Sequence, residues 1–551
     1  MKSISFKNFR RFPEFPEFKF GNITILVGGN NAGKSTLQKA LLLIFDNIRS
    51  LRKKMSAFSI FENSFATPQF RFDANEFHDL NLGTFERSLF TGAKERQMEF
   101  TLCVDSFIIR TVIEPDEAGL SQPIAKVALI EVNDSKRHIL YTFNFNTHRM
   151  RAEFEQIAGN GDPRFDKIQT AIAELRKKLA EEKDPFDAAM ANQELEKLLK
   201  IRNAFVHNGD EMRESSTIET DLKDYLGIKG FDRVVSGVLP SYLENIEAYT
   251  WTIGSKTVAT INLDGTETIP DHEEAEVMNG TEEDIANGQV LGDKQSLILE
   301  SASSLQSELS NPKVFYIQAH GISQKMLYTI DDKNDFMAQA IHKFARCAVK
   351  PGSAPDTFLR KWMAEFGIGK NYIIESFGGE GYTVKIDTEN GWVNLADLGM
   401  GSNQLMVLLF SLATIMYEHG HHGTDGGKSY ISKFIIIEEP EQNLHPRLQS
   451  KLADLFAAVA EDESYNFLVE THSEYLIRRT QVLVAEMNLS EEELEKQNPF
   501  KVYYFPAEDL PYDMKYTTSG RFDNSFGEGF FDEASSSALT ISRIERRRKN
   551  G

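Results

Sequence analysis

The sequence predicts an α/β protein with an antiparallel β wing and an inserted helical domain, and three observations predict it. A short apolar strand at Asn22–Val27 runs into a glycine-rich turn and then a helix at Ser35–Ile48. Far along the chain, Lys433–Ile437 and Phe467–Thr471 read as buried strands alternating with helical stretches, the pattern of strands covered on both faces. Between these ends, Gln97–Val104, Ala125–Val132 and His138–Asn144 are strand-like runs separated by turn residues, which suits an antiparallel wing.

Taken in order, Ile4–Phe20 precedes Asn22–Val27 as a first strand. From about Arg164 to Phe205 the period changes. Ile168, Ile172, Leu175 and Leu179 make one apolar stripe and Leu195, Leu198 and Leu199 another, broken at Asp184-Pro185, so a short helical hairpin is expected. Asp264–Asp284 is acidic and reads as a solvated loop. Strands return at Val314–Gln318, Tyr372–Glu375, Tyr382–Ile386 and Trp392–Leu395, and Leu398–Tyr417 reads as a helix. The expected division is a first lobe at 1–150, a helical and acidic insertion suited to partner docking at 151–311, and a second lobe at 312–551.

With 551 residues, 41% hydrophobic and 26% charged, the chain is long enough for a large core. Cys103 and Cys347 are its only cysteines and stand far apart, so neither a disulfide framework nor a thiolate zinc site is supported, and a cytoplasmic setting is expected. No apolar run reaches the roughly 20 residues that span a bilayer, so no membrane segment is expected. A formal net charge of -21 argues against a surface coated in basic residues for nucleic acid. The run Arg546–Lys549 reads as a solvated tail.

Gly28-Gly29-Asn30-Asn31-Ala32-Gly33-Lys34-Ser35 fits the pattern GxxxxGK[ST] between a strand and a helix. In that setting Gly28, Asn30, Asn31, Gly33 and Thr36 would wrap phosphates with backbone N–H groups. Lys34 would reach the outer phosphate oxygens, and Ser35 would ligate Mg²⁺. ATP and Mg²⁺ are the implied ligands. Phe434–Ile437 ends in Glu438-Glu439-Pro440, a strand ending in two carboxylates. Glu438 is assigned to the Mg²⁺ water shell, and Glu439 to orienting and deprotonating the attacking water. At the next strand end, His472 stands where a γ-phosphate can be sensed. Leu398-Gly399-Met400-Gly401-Ser402-Asn403-Gln404 opens a further helix as a second anion-binding start. One chain does not need two such starts for one phosphate, whereas a dimer lending this loop to its partner does.

Together Asn8-Phe9-Arg10, GGNNAGKST, LGMGSNQ, IIIEEPEQNLHP and VETHSEYL resemble the ABC-type ATPases of the SMC, RecF and OLD group. The resemblance covers roughly 1–145 and 312–535. It implies head-to-tail dimers with two ATP molecules at the interface. Arg10 would join the nucleotide-binding set, with Gly399, Gly401, Ser402 and Gln404 acting in trans, Glu439 as catalytic acid residue, His472 as switch histidine, and Gln318 as the Q-loop residue near the metal. Without a CxxC hook, a long coiled coil or a following Toprim domain, and with the closing segment Ser519–Asp532, the set is most similar to the ATPases of Septu (PtuA-type) and retron-associated anti-phage defence systems. That similarity implies a separate HNH-type nuclease partner and, in retrons, a reverse transcriptase with its RNA-DNA hybrid. The alternatives are a RecF-like repair ATPase that binds DNA directly, and the energising subunit of a transporter.

Overall fold

In the computed structural model the described residues are 1–53, 69–73, 82–116, 123–147, 149–158, 212–221, 248–253, 256–262, 267–268, 313–318, 322–332, 335–420, 432–527 and 530–550, with isolated helical positions between 172 and 308. Strands β1 (Ser3–Phe9) and β2 (Phe12–Lys19) form a hairpin, so the stretch expected as one strand folds back on itself. The sequence of β2, FPEFPEFK, buries a phenylalanine every third residue rather than every second. A register shift between Ile4 and Phe6 accommodates this and sets Ile4 opposite Phe18, Phe6 opposite Phe15 and Phe9 opposite Phe12. Pro13 and Pro16 cannot donate to a ladder, and β2 occupies the sheet edge, where that loss is tolerated.

Strand β3 (Ile23–Gly28) leads through the glycine-rich turn into helix α1 (Lys34–Lys53), longer than expected by one turn and more. The wing continues through β4 (Gln69–Arg71), the single turn α2 (Phe85–Ser88), β5 (Met98–Val104), β6 (Phe107–Pro115), β7 (Ile124–Asp134), β8 (Ile139–Asn144) and β9 (Arg149–Ala158). Then come β10 (Met212–Asp221), β11 (Ala248–Ile253), β12 (Lys256–Asn262) and β13 (Glu267–Thr268). The strands β1, β2 and β4 to β13 join one 12-stranded antiparallel sheet. The insertion, expected to be helical, therefore extends the wing in part as sheet. Of the predicted hairpin only Ile172, Leu175–Lys177 and Leu195 are described, and they are helical. The rest of it, and most of the acidic stretch 264–284, lie outside the described residues.

The second lobe holds β14 (Lys313–Ile317), β15 (Tyr328–Thr329), α3 (Phe336–Arg346), α4 (Ala354–Glu365), β16 (Asn371–Phe377), β17 (Gly381–Thr388), β18 (Gly391–Asn394) and α5 (Met400–Gly420). It continues with β19 (Lys433–Glu438), α6 (Pro446–Ala460), β20 (Tyr465–Glu470), α7 (Glu474–Glu486), α8 (Glu491–Gln497), β21 (Phe500–Phe505), β22 (Tyr512–Met514) and α9 (Glu533–Asn550). Its central sheet runs β14-β19-β20-β3-β21-β22, parallel except for β22, and it recruits β3 from the far end of the chain.

Alternation along these strands divides two cores. Leu26, Phe434, Ile436, Leu468 and Phe505 face the wing and α1. Ile25, Val27, Ile435, Ile437, Phe467 and Val469 face α3 to α7. Both faces are covered, which is why β3 is buried at every position. Helix α5 is long and apolar enough to cross a membrane by composition, but 67% of its apolar window is buried within the protein, which marks it as a core helix. Helix α9, with Arg546, Arg547 and Arg548, is exposed, so the basic tail is helical rather than free coil.

Candidate functional site

Parallel pairing decides what meets. Leu26 of β3 lies opposite Glu470 of β20, and Glu470 lies opposite Glu438 of β19, so the glycine-rich turn and both acidic strand ends emerge together at the carboxyl ends of the central strands. They open onto a cleft of about 840 Å³ lined by Asn30, Asn31, Gly33, Lys34, Ser35, Thr36, Glu439, Glu470 and His472, with Arg10, Arg11, Lys39 and Arg87 adding positive charge. A chain with net charge -21 thus presents a cleft with more bases than acids, a field that draws anions.

The turn is held in a shape that side chains resist. Gly33 has φ 106°, and a Cβ there would fall 2.5 Å from the Phe12 ring, so only glycine lets the loop close against β2. Asn31 is left-handed as well, at φ 61°. The Arg11 guanidinium donates to the carbonyl oxygens of Asn31 and, at 2.7 Å, Ala507, tying the loop to the segment after β21.

Lys34 is 3% exposed, and its Nζ donates to the carbonyl oxygens of Gly28 (3.0 Å) and Gly29 (2.9 Å). Burial lowers its pKa, and the nearby carboxylates of Glu470, Glu439 and Glu441 oppose that. Glu470 Oε1 is 3.6 Å from Lys34 Nζ, and the Ser35 hydroxyl lies 3.4 and 3.3 Å from its two carboxylate oxygens. Burial pushes the Glu470 carboxyl up to about 7, against the pull of Lys34.

Glu439 sits just past β19 at φ 42°, an uncommon backbone for a non-glycine residue and one found where function demands it. Its N–H donates to Glu470 O (2.8 Å), Gln404 Nε2 donates to its carbonyl (3.3 Å), and Gln442 donates to its carboxylate. His472 Nε2 is 3.7 Å from Glu439 Oε1. The His472 N–H donates to buried Glu441 (2.6 Å). Burial and then Lys34 lower the His472 pKa, so the ring is neutral at neutral pH.

Of the residues the sequence singled out, Arg10, Asn30, Asn31, Gly33, Lys34, Ser35, Thr36, Glu439 and His472 line the cleft. Gly28 contributes its carbonyl to Lys34. Glu438 ends β19 beside Glu470 without lining the cleft. Gln318 follows β14, which is separated from β3 by β19 and β20, and its amide donates to Tyr316 Oη at 2.6 Å, so it too stands off the cleft.

The loop at Gly399, Gly401 and Ser402 is also outside it. It packs on the segment after Glu439: a Cβ on Gly401 would fall 2.6 Å from Asn443 O, and Asn443 Nδ2 donates to Gln404 Oε1 at 3.2 Å. Glu470, Arg11, Lys39 and Arg87 were missed. Glu470 carried the same signal as Glu438, a carboxylate closing an apolar strand. Arg87 reaches the cleft only through tertiary folding.

Glu439, Glu470 and His472 bring potential ligand atoms within 4.8 Å of one another, and the Ser35 hydroxyl is adjacent. This mainly hard-oxygen set fits Mg²⁺. Ser35 and the strand-end carboxylates would hold the ion, which when bound neutralises phosphate charge.

A strand, a glycine-rich phosphate turn and a helix, faced by acids on the neighbouring parallel strands, define a P-loop nucleotide-binding protein. The chain belongs to the AAA ATPase domain family, which matches residues 1–477. No curated protein matches it. Among solved structures it is similar to the Smc head domain with an extended coiled coil bound to the C-terminal domain of ScpA from Pyrococcus furiosus (11% identity, covering 98% of this chain and 99% of that one, TM-score 0.32). It is also similar to the SMC head domain from Thermotoga maritima (8% identity, 93% and 98%, TM-score 0.28). Superpositions this loose carry no residue correspondence, so the assignment rests on the family match and the cleft.

Proposed function

We propose that this chain hydrolyses ATP in the cleft and, as a regulatory subunit of an anti-phage defence complex, controls a separately encoded HNH-type nuclease. A reverse transcriptase with its RNA-DNA hybrid joins in a retron setting. The observation that carries the catalytic part is the convergence of Glu439 and His472 on Lys34 and Ser35. Lys34 and the loop N–H groups bind and orient the phosphates. Glu439 accepts the proton of the attacking water, and neutral His472 hydrogen-bonds the transferring phosphoryl group.

The signature loop around Gly401 and Ser402 lies outside its own chain's cleft, and this supports a head-to-tail dimer in which each copy completes the other's site. The regulatory role draws its support from the resemblance of the ordered motif set to defence ATPases. Its closing segment also has a structural place, with Phe522, Phe526, Phe530 and Phe531 clustering on Tyr504 and Tyr516. Purification of the native operon product tests it. A nuclease that co-purifies and whose cutting depends on ATP turnover is expected. A chain that isolates alone and binds DNA more tightly with ATP, in a salt-dependent way, would replace this function with direct DNA repair.

A further inference from the structure

The placement of Glu470 goes beyond what an ATP cleft of this kind requires, because a second carboxylate faces the lysine and the serine that meet the nucleotide. Its backbone is fixed on both sides: the Glu439 N–H donates to Glu470 O (2.8 Å), and the neighbouring Thr471 N–H donates to Leu26 O (3.0 Å). These bonds hold the root of the side chain at the end of β20. It is 6% exposed, so little water screens it. Its oxygens lie 3.3 and 3.4 Å from Ser35 Oγ, and one lies 3.6 Å from Lys34 Nζ. Glu438 is its register partner, and Glu439 is in the same ligand cluster. An incoming polyphosphate therefore meets acids at the point where it must engage Lys34 and Ser35.

We propose that Glu470 makes nucleotide binding conditional on a divalent cation: it repels the metal-free polyphosphate and admits the cation complex, whose metal it shares with Ser35. The proposal rests on the cleft being a nucleotide site. Magnesium sites on nucleotides ordinarily use one or two carboxylates with the phosphates, and a carboxylate fixed beside Ser35 meets that need directly. Coupling of this kind is reciprocal, so the nucleotide must also raise the affinity for the cation.

The test is titration of the full-length protein with a fluorescent ATP analogue, once in excess EDTA and once in excess MgCl₂. Wild type is expected to gain about 100-fold in affinity from Mg²⁺. In Glu470→Gln the gain should fall at least about tenfold, because binding in EDTA improves, while Glu470→Asp, which keeps the charge, should retain most of it. A Glu470→Gln gain equal to wild type, or a gain lost only in Glu438→Gln, overturns the proposal. If wild type binds nucleotide under neither condition, the assignment of the cleft itself fails. If thermal melting shows Glu470→Gln unfolded, Glu470→Ser replaces it under the same criteria.

Discussion

At the scale of single residues, the cleft concentrates charges that are expensive to bury and that stay because they face one another. Lys34 is held by two carbonyl oxygens and the Glu470 carboxylate. Lys34→Ala should bring ATP binding below detection in an equilibrium titration. Glu439→Gln should keep binding but lower turnover by at least about 100-fold, and normal turnover would remove Glu439 from its role.

A pH effect follows from Glu470. Its carboxyl is raised from 4.5 to about 7 in the fold, so the stability it contributes is whole below about pH 4.5 and is lost as pH rises through about 7. Glutamine mimics the protonated form at every pH. Thermal melts in EDTA should therefore show Glu470→Gln gaining on wild type from about pH 5 to about pH 8, and a constant difference would contradict the assignment. Lys34, Ser35, Glu439 and His472 were legible because each ends or follows a patterned strand. Arg11 and Arg87 were not, since nothing in their local sequence says what they will face.

Elements show the same division. The strands around the site were legible from apolar runs, but the hairpin of β1 and β2 was not, because its phenylalanine spacing is neither helical nor that of an ordinary strand. Strand β6 also escaped notice. Its mid-strand Arg110 makes sense only across the sheet, where it pairs with Glu99 and Glu131 at 2.7 Å each. Strand β19 must be rigid for Glu439 to keep its left-handed backbone, and its Ile436 is 0% exposed on the wing-facing side. Ile436→Ala should cost about 2–5 kcal/mol in urea unfolding, since the parallel sheet leaves the cavity little room to collapse. A cost below about 0.5 kcal/mol would show that the strand repacks freely.

For the whole molecule, the central sheet takes β3 from the first lobe and its other five strands from the second, so the nucleotide cleft forms only when the first lobe docks on the second. The loop at Gly399–Ser402 does not line the cleft of its own chain, and in the proposed head-to-tail dimer it serves the partner's cleft. In light scattering, Glu439→Gln with ATP and Mg²⁺ should double in mass, and Ser402→Arg added to it should return the monomer. A dimer that persists in the double variant would place the interface elsewhere.

The motifs by themselves determined the class of site, because a phosphate turn and a strand ending in carboxylates are local devices, readable from a dozen consecutive residues each. Which acid stands beside Lys34 was decided by the tertiary structure alone. Strand order sets β20 between β3 and β19, so Glu470, and not Glu438, is the carboxylate in contact with Lys34 and Ser35. Strand β3 and its neighbours β20 and β21 are hundreds of residues apart along the chain, and no local pattern carries that pairing.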